Sequence, residues 1–248
     1  MTRERPVAPP PLRPSTETPA APSPRAAIDA FLEQVRAMPP QAGTGMRGRL
    51  IFALDATMSR QPTWDAACRI QAEMFAEAAR LGGLDLQLLY YRALTECRAS
   101  KWVSDPTRLA GLMSRIDCRG GHTQIRRVLL HARDETRRQK VQGMVFVGDA
   151  MEESIDDLCH VAGELGVLGV PVFMFQEGYD PVAEPAFREI ARLSGGAYGR
   201  FAPGAARDLA ELLRAVAAYA AGGRQALAAL SSRHGTGAAL LLAQLGSR

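Results

Sequence analysis

No stretch of this chain reaches the roughly 18 consecutive apolar residues that a bilayer-spanning helix needs, and none suits a signal-peptide core in the opening MTRERPVAPPPLRPS. Cysteine is scarce. Cys68, Cys97, Cys118 and Cys159 lie far apart, with no Cys-x-x-Cys pair and no Cys/His spacing of the zinc type. Reduced thiols, no membrane association and a cytoplasmic setting are therefore expected. Familiar catalytic signatures are missing too: there is no Gly-x-Ser-x-Gly, no His-Glu-x-x-His and no phosphate loop. Neither sign of charge dominates. With 30 Lys and Arg against 26 Asp and Glu, the net +4 does not demand a nucleic-acid partner, and no aromatics interleave with the basic residues as single-strand binding would require.

What the 248 residues do have is enough apolar content, 47% of the chain, for a sizeable core. It is unevenly spread. Residues 1–24 hold eight of the sixteen prolines and almost no bulky apolar side chain, so they are expected to be a disordered tail, with Pro9-Pro10-Pro11 as an alternative polyproline ligand for a partner. Residues 25–48 comprise a helix, carrying Ile28, Phe31, Leu32 and Val35 at helical spacing, and a linker in which Gly43-x-Gly45 precedes a strand and so is no dinucleotide fingerprint. Residues 49–222 form the main domain, and 223–248 a C-terminal extension in which GTGAALLLAQL reads as a short helix covering the sheet or as a self-association segment.

The main domain is organised around Arg49 to Arg60, RLIFALDATMSR. Leu50 to Leu54 is a short apolar run of the kind buried on both faces of a parallel sheet, and it stops at Asp55. The spacing Asp55-x-Thr57-x-Ser59 then sets one carboxylate and two hydroxyls on a single turn. Two readings suit it: a polar turn in which the side chains bond to backbone amides, or three hard oxygen ligands for a divalent cation.

Downstream, a helix from Thr63, which can cap it, to about Leu81 leads to a hairpin over residues 84–92 and 96–104, the second strand being the more polar and hence an edge. Asp105-Pro106 opens a short helix to Ile116, and Thr123 begins another, with Arg126, Arg133, Arg137 and His131 on its exposed side. The second strongly apolar strand, Val141 to Val147, again ends near a carboxylate, Asp149. Helix and strand alternate from there: helix 155–168, strand 171–175, helix 184–193, strand 198–201, helix 205–221. An α/β fold follows, a doubly wound, mostly parallel six-stranded sheet with one antiparallel edge strand and flanking helices. Asp55 and Asp149 then sit at strand carboxyl ends, where such sheets bind ligands, and the loop bearing Thr123 can reach the same spot.

This order of residues resembles the von Willebrand factor type A (vWA) domain and its metal-ion-dependent adhesion site, which reads Asp-x-Ser-x-Ser, a distant Thr and a distant Asp. The resemblance spans about residues 49–222 and implies a metal site of Asp55, Thr57, Ser59, Thr123 and Asp149. An oxygen-only set of this kind favours Mg²⁺ or Mn²⁺. It further implies a protein-interaction module that takes a partner's Asp or Glu on the cation, and intracellular members of the family often work beside an ATPase in assembly or metal-insertion machines. Two positions depart from the family pattern. Thr57 replaces the usual Ser, and Ala150 follows Asp149 where Gly is common, which is expected to make the turn there less easy. The competing reading is a metal-dependent phosphoester hydrolase on a Rossmann-like fold. The haloacid dehalogenase type requires a second carboxylate two residues after the first, where this chain has Thr57, and His122 is the one candidate acid or base near the cluster.

Because residues 1–24 carry so little apolar side chain, deleting them is expected to leave the melting temperature nearly unchanged. Calorimetry on the truncated chain checks this, and a drop of many degrees would show that the tail packs on the domain.

Overall fold

The apolar run ending at Asp55 is the strand β1 (Gly48–Asp55), and every one of its residues is buried. It lies inside a six-stranded sheet of order β3-β2-β1-β4-β5-β6. The structure, a computed structural model, describes residues 24–37, 47–57, 59, 61–69 and 83–233. In chain order these form α1 (Pro24–Ala37), β1, α2 (61–69), β2 (Leu84–Arg92), β3 (Glu96–Ala99), α3 (Pro106–Met113), α4 (Ile125–Arg138), β4 (Gly143–Gly148), α5 (Ile155–Val167), β5 (Val172–Glu177), α6 (Ala183–Ser194), β6 (Tyr198–Phe201) and α7 (Ala206–Arg233). Only β3 runs antiparallel to its neighbour. The expected six-stranded, doubly wound sheet is the one observed.

Alternation along the strands builds two cores. Leu50, Phe52, Leu54, Val145, Val147, Phe173 and Phe175 face one layer, where α1, α2, α3 and α7 supply Phe31, Trp64, Leu109 and Leu212 among others. Ile51, Ala53, Met144, Phe146 and Met174 face the other, against α4, α5 and α6. With both faces covered, the central strands have no room for polar side chains until they end. Helix α7 crosses so close to the start of β1 that a Cβ on Gly48 would come within 2.2 Å of the Ala220 carbonyl oxygen. After β1 the chain winds outward through β2 and β3, then returns to the other side of β1 for β4, β5 and β6. The winding therefore reverses between β1 and β4.

Several sequence expectations change in detail. The outer hairpin strand ends at Ala99 and not at residue 104, because the Ser100 hydroxyl accepts the Leu88 N–H (3.0 Å), and the chain rejoins β2 only through the bridge Leu86–Val103. His131 is not on the exposed side of α4. The helix lies over β2, and the half-buried imidazole donates from Nε2 to Gln87 Oε1 (2.8 Å), with burial lowering its pKa. Thr63 falls inside α2, not at its cap, and its hydroxyl instead donates to the buried Glu177 at the end of β5. The last helix continues past residue 221 to Arg233, with a break at Gly223, whose φ of 66° leaves helical geometry. Residues 1–23, Gly43-x-Gly45, the later part of the helix toward Leu81, and GTGAALLLAQL lie outside the described residues. Among the described residues no helix is long and apolar enough to cross a membrane.

Helix α1 is part of the core. Phe31 is fully buried and meets Phe175 (5.0 Å between ring centroids, 77°) and Phe173 (6.1 Å, 72°) edge to face. Phe31→Ala is expected to cost about 3–5 kcal/mol in urea unfolding, from lost contacts and the cavity left behind. A loss below about 1 kcal/mol would show α1 to be peripheral.

Candidate metal centre

Asp55 closes β1 beside Tyr91 of β2 and is only 3% exposed. Its Oδ1 accepts the N–H of Thr57 (2.8 Å), an Asx turn that bends the chain as it leaves the sheet. The turn brings the Thr57 and Ser59 hydroxyls to 3.5 Å of each other, and Ser59 Oγ donates to Asp149 Oδ2 at 3.0 Å. A hydrogen bond thus joins the β1 turn to the segment after β4. The Ala56 carbonyl accepts from Arg119 N (3.0 Å), tying in the loop between α3 and α4.

That loop and the one after β4 hold each other reciprocally. The Glu152 N–H donates to Thr123 Oγ1 (3.1 Å), while Glu152 Oε2 accepts from Thr123 N (3.2 Å) and lies 2.8 Å from His122 Nδ1. Next to it, the Glu153 carboxylate accepts the N–H groups of Ile125 and Arg126 (3.0 Å for the latter). Helix α4 opens on Gln124, whose side chain makes no capping bond, so Glu153 does the capping from another loop and places negative charge at the positive end of the helix dipole. Gly121 presses on the β2–β3 turn, where a Cβ would come within 2.0 Å of the Ala93 carbonyl oxygen. Ala150 carries no strain, since Ala93 is the sole non-glycine residue at positive φ among those described. The turn after Asp149 does not need glycine.

All five residues singled out in the sequence, Asp55, Thr57, Ser59, Thr123 and Asp149, line one cavity of about 250 Å³, together with Glu152 and the segments at Gly120-Gly121 and Ala150. Among the described residues, three carboxylates and three hydroxyls face this space and no basic side chain lines it. Tyr91 registers the resulting field. It is wholly buried, stacked on Phe146 (6.2 Å, 14°), and its hydroxyl has no partner in hydrogen-bond geometry. Burial first, then the Asp55 carboxylate, holds its pKa well above the usual tyrosine value, with Glu153 and Asp149 adding to the effect. Among the described residues no three Asp, Glu, His or Cys side chains converge closely enough to hold a metal by themselves. The donor set is nonetheless hard, oxygen-only and negative, which fits Mg²⁺ or Mn²⁺ with the hydroxyls and water completing the shell, and does not fit the nitrogen and sulfur preference of a structural zinc site.

No family model and no curated protein sequence matches the chain. Solved structures do. The SpRpn10 VWA domain superposes with a TM-score of 0.54 over 72% of this chain and 98% of its own, at 11% identity. This chain has the vWA fold. An aerotolerance-related membrane protein from Bacteroides fragilis NCTC 9343 is similar at a TM-score of 0.51 and 16% identity, covering 66% of this chain and 96% of that one. Proximal thread matrix protein 1 from the mussel byssus, in a form with a zinc-occupied MIDAS motif, matches at 0.54 and 16% identity over 69% of this chain and 46% of its own length. At such identities the likeness concerns the fold.

Within this vWA fold, Glu152 and Glu153 are the residues for which sequence reasoning gave no role. The sequence placed Thr123 at the start of α4, but the helix opens on Gln124, which makes no capping bond, so its first N–H groups are satisfied by Glu153 from elsewhere. Glu153→Ala is expected to lower stability by about 1–2 kcal/mol and to speed hydrogen exchange at the Ile125 and Arg126 amides. Unchanged exchange there would show that water replaces the cap.

Proposed function

We propose that this vWA-type domain is a protein-interaction module that binds Mg²⁺ or Mn²⁺ through Asp55, Thr57, Ser59, Thr123 and Asp149 and takes an Asp or Glu of a partner protein at that point. The observation that carries the reading is the convergence of these five side chains, from three separate segments, on one cavity lined, among the described residues, by three carboxylates and no basic group. Asp55 and Asp149 provide the negative charge, while Thr57, Ser59 and Thr123 add neutral oxygen donors. Asp55 is held by its bond from Thr57 N, and Thr123 by its exchange with Glu152, so the donors are oriented before any ligand arrives. A bound divalent cation supplies the positive charge that lets a partner's carboxylate approach the three already there.

The zinc-occupied motif of the mussel byssus protein supports divalent-cation binding on this fold. An ATPase as partner rests on the family resemblance alone, and the free state of all four cysteines supports a reducing, cytoplasmic setting. The hydrolase reading gains nothing from the geometry. His122 has an exposed ring beside Glu152, and the position two residues after Asp55 is Thr57. Ser59 Oγ and the Asp149 carboxylate it donates to are both ligands in this reading, so a cation here works as an electrostatic clamp.

Calorimetric titration of the full chain with Mn²⁺ and Mg²⁺ is expected to show one site, at least roughly tenfold weaker in Asp149→Ala, and saturating cation is expected to raise the melting temperature of the native chain only. Equal weak binding by both proteins would remove the site. Phosphate-ester hydrolysis that Asp55→Ala abolishes would replace the adhesion reading with the enzymatic one.

A further inference from the structure

Five large apolar side chains stand exposed among the described residues: Leu94, Ile155, Val167, Tyr179 and Val182. Four of them lie on the edge of the sheet that carries the cavity. Leu94 is in the β2–β3 turn, Ile155 opens α5 after the Asp149 loop, and Tyr179 and Val182 lie between β5 and α6. Exposed apolar residues scattered singly need no explanation, but a set confined to one edge does.

The segments that carry them are also fastened. Gln124 Nε2 donates toward the Arg92, Ala93 and Glu96 carbonyls (3.4 Å each), and Arg127 donates to Thr95 O (2.6 Å), so the turn bearing Leu94 is clamped to the α4 end of the cavity wall. On the other side, the Asp180 carboxylate accepts from Val182 N (2.8 Å) and Ala183 N (2.7 Å), and Gln176 Nε2 donates to Asp180 O (3.3 Å). Tyr179 and Val182 are 70% and 58% exposed despite this ordered loop. They are held out, not left loose.

We propose that this edge docks an extended segment of another protein in which an Asp or Glu is flanked by bulky apolar residues two places before and two places after it. The proposal rests on the cation reading above and specifies its partner. Strands β2 and β5 stand on either side of the β1–β4 pair, three inter-strand steps apart, or about 14 Å at about 4.8 Å per step. The cavity lies at the ends of β1 and β4, about 7 Å from each flank on the same spacing. An extended chain advances about 3.4 Å per residue, so two residues cover about 7 Å, and positions two apart share one face. A segment crossing the strand ends with its acid at the cavity therefore sets one apolar neighbour on Leu94 and the other on Tyr179 and Val182. Residues 1–23 and 234–248 do not supply such a segment. Residues 234–248 contain no Asp or Glu, and Glu4 and Glu17 have Thr2, Pro6, Ser15 and Pro19 at the flanking places.

The test uses the full chain with saturating Mn²⁺ and short labelled peptides, read by fluorescence anisotropy. One has Glu at its centre, Leu two places before, Phe two places after and Ser elsewhere; the second replaces both apolar residues with Ser; the third replaces Glu with Gln. The first is expected to bind at least about tenfold tighter than the other two, and Leu94→Ser or the pair Tyr179→Ser, Val182→Ser to cost about tenfold for the first peptide and nothing for the second. Both variants change exposed side chains, and unaltered melting temperatures confirm their folding. Equal binding of the first two peptides, lost on chelation, would overturn this inference and leave the cation reading standing. Binding of the first that needs Leu94 but survives chelation and Asp149→Ala would keep the apolar face and remove the cation reading. No binding by any peptide at millimolar concentration, or self-association of the chain that Leu94→Ser abolishes, would overturn the proposal.

Discussion

A strand buried on both faces has nowhere to put a polar side chain except at its ends, and β1 places Asp55 there, 3% exposed. Taking a carboxylate that far from water costs several kcal/mol unless something compensates. Part of the compensation is local, the Asx turn with Thr57 N. The turn in turn directs the Thr57 and Ser59 hydroxyls, so the device that satisfies Asp55 also assembles the first segment of the cavity. Tyr91 sits behind it as a neutral phenol kept so by burial and by that same carboxylate.

The remaining donors reach the spot because the winding reverses between β1 and β4. At that crevice the loops after β4 and before α4 are joined by bonds to each other. Thr123 and Glu152 exchange hydrogen bonds, and Glu153 caps α4 in place of a local residue. Several of these bonds go from a side chain to a backbone N–H, which fixes loop backbones more firmly than contacts between two side chains.

Identity to other vWA-fold structures is low, 11% for the SpRpn10 domain and 16% for the mussel protein, yet the topology is shared. A doubly wound sheet asks of its residues only that the central strands be apolar throughout and that helices present one apolar stripe. Many sequences meet that demand. A fold this widely shared therefore does not by itself name a partner.

Local pattern was enough to place the strands at Leu50–Leu54 and Val141–Val147, the hairpin, the parallel βα alternation and the spacing Asp55-x-Thr57-x-Ser59, because burial on two faces and helical periodicity leave their mark on neighbouring residues. It also named Thr123 and Asp149 as residues able to reach Asp55. What it did not reveal were interactions between residues far apart in the chain: His131 turned onto Gln87, Thr63 bonded to Glu177 and not to its own helix, Glu153 capping a helix that begins 28 residues earlier, and α1 driven into the core through Phe31. Secondary structure and the polar turn follow from preferences acting over a few residues, so the sequence alone determined them. Which exposed positions became buried, which loops capped which helices, and that these oxygen-bearing side chains line a single cavity depended on how the layers packed, and only the tertiary structure decided that.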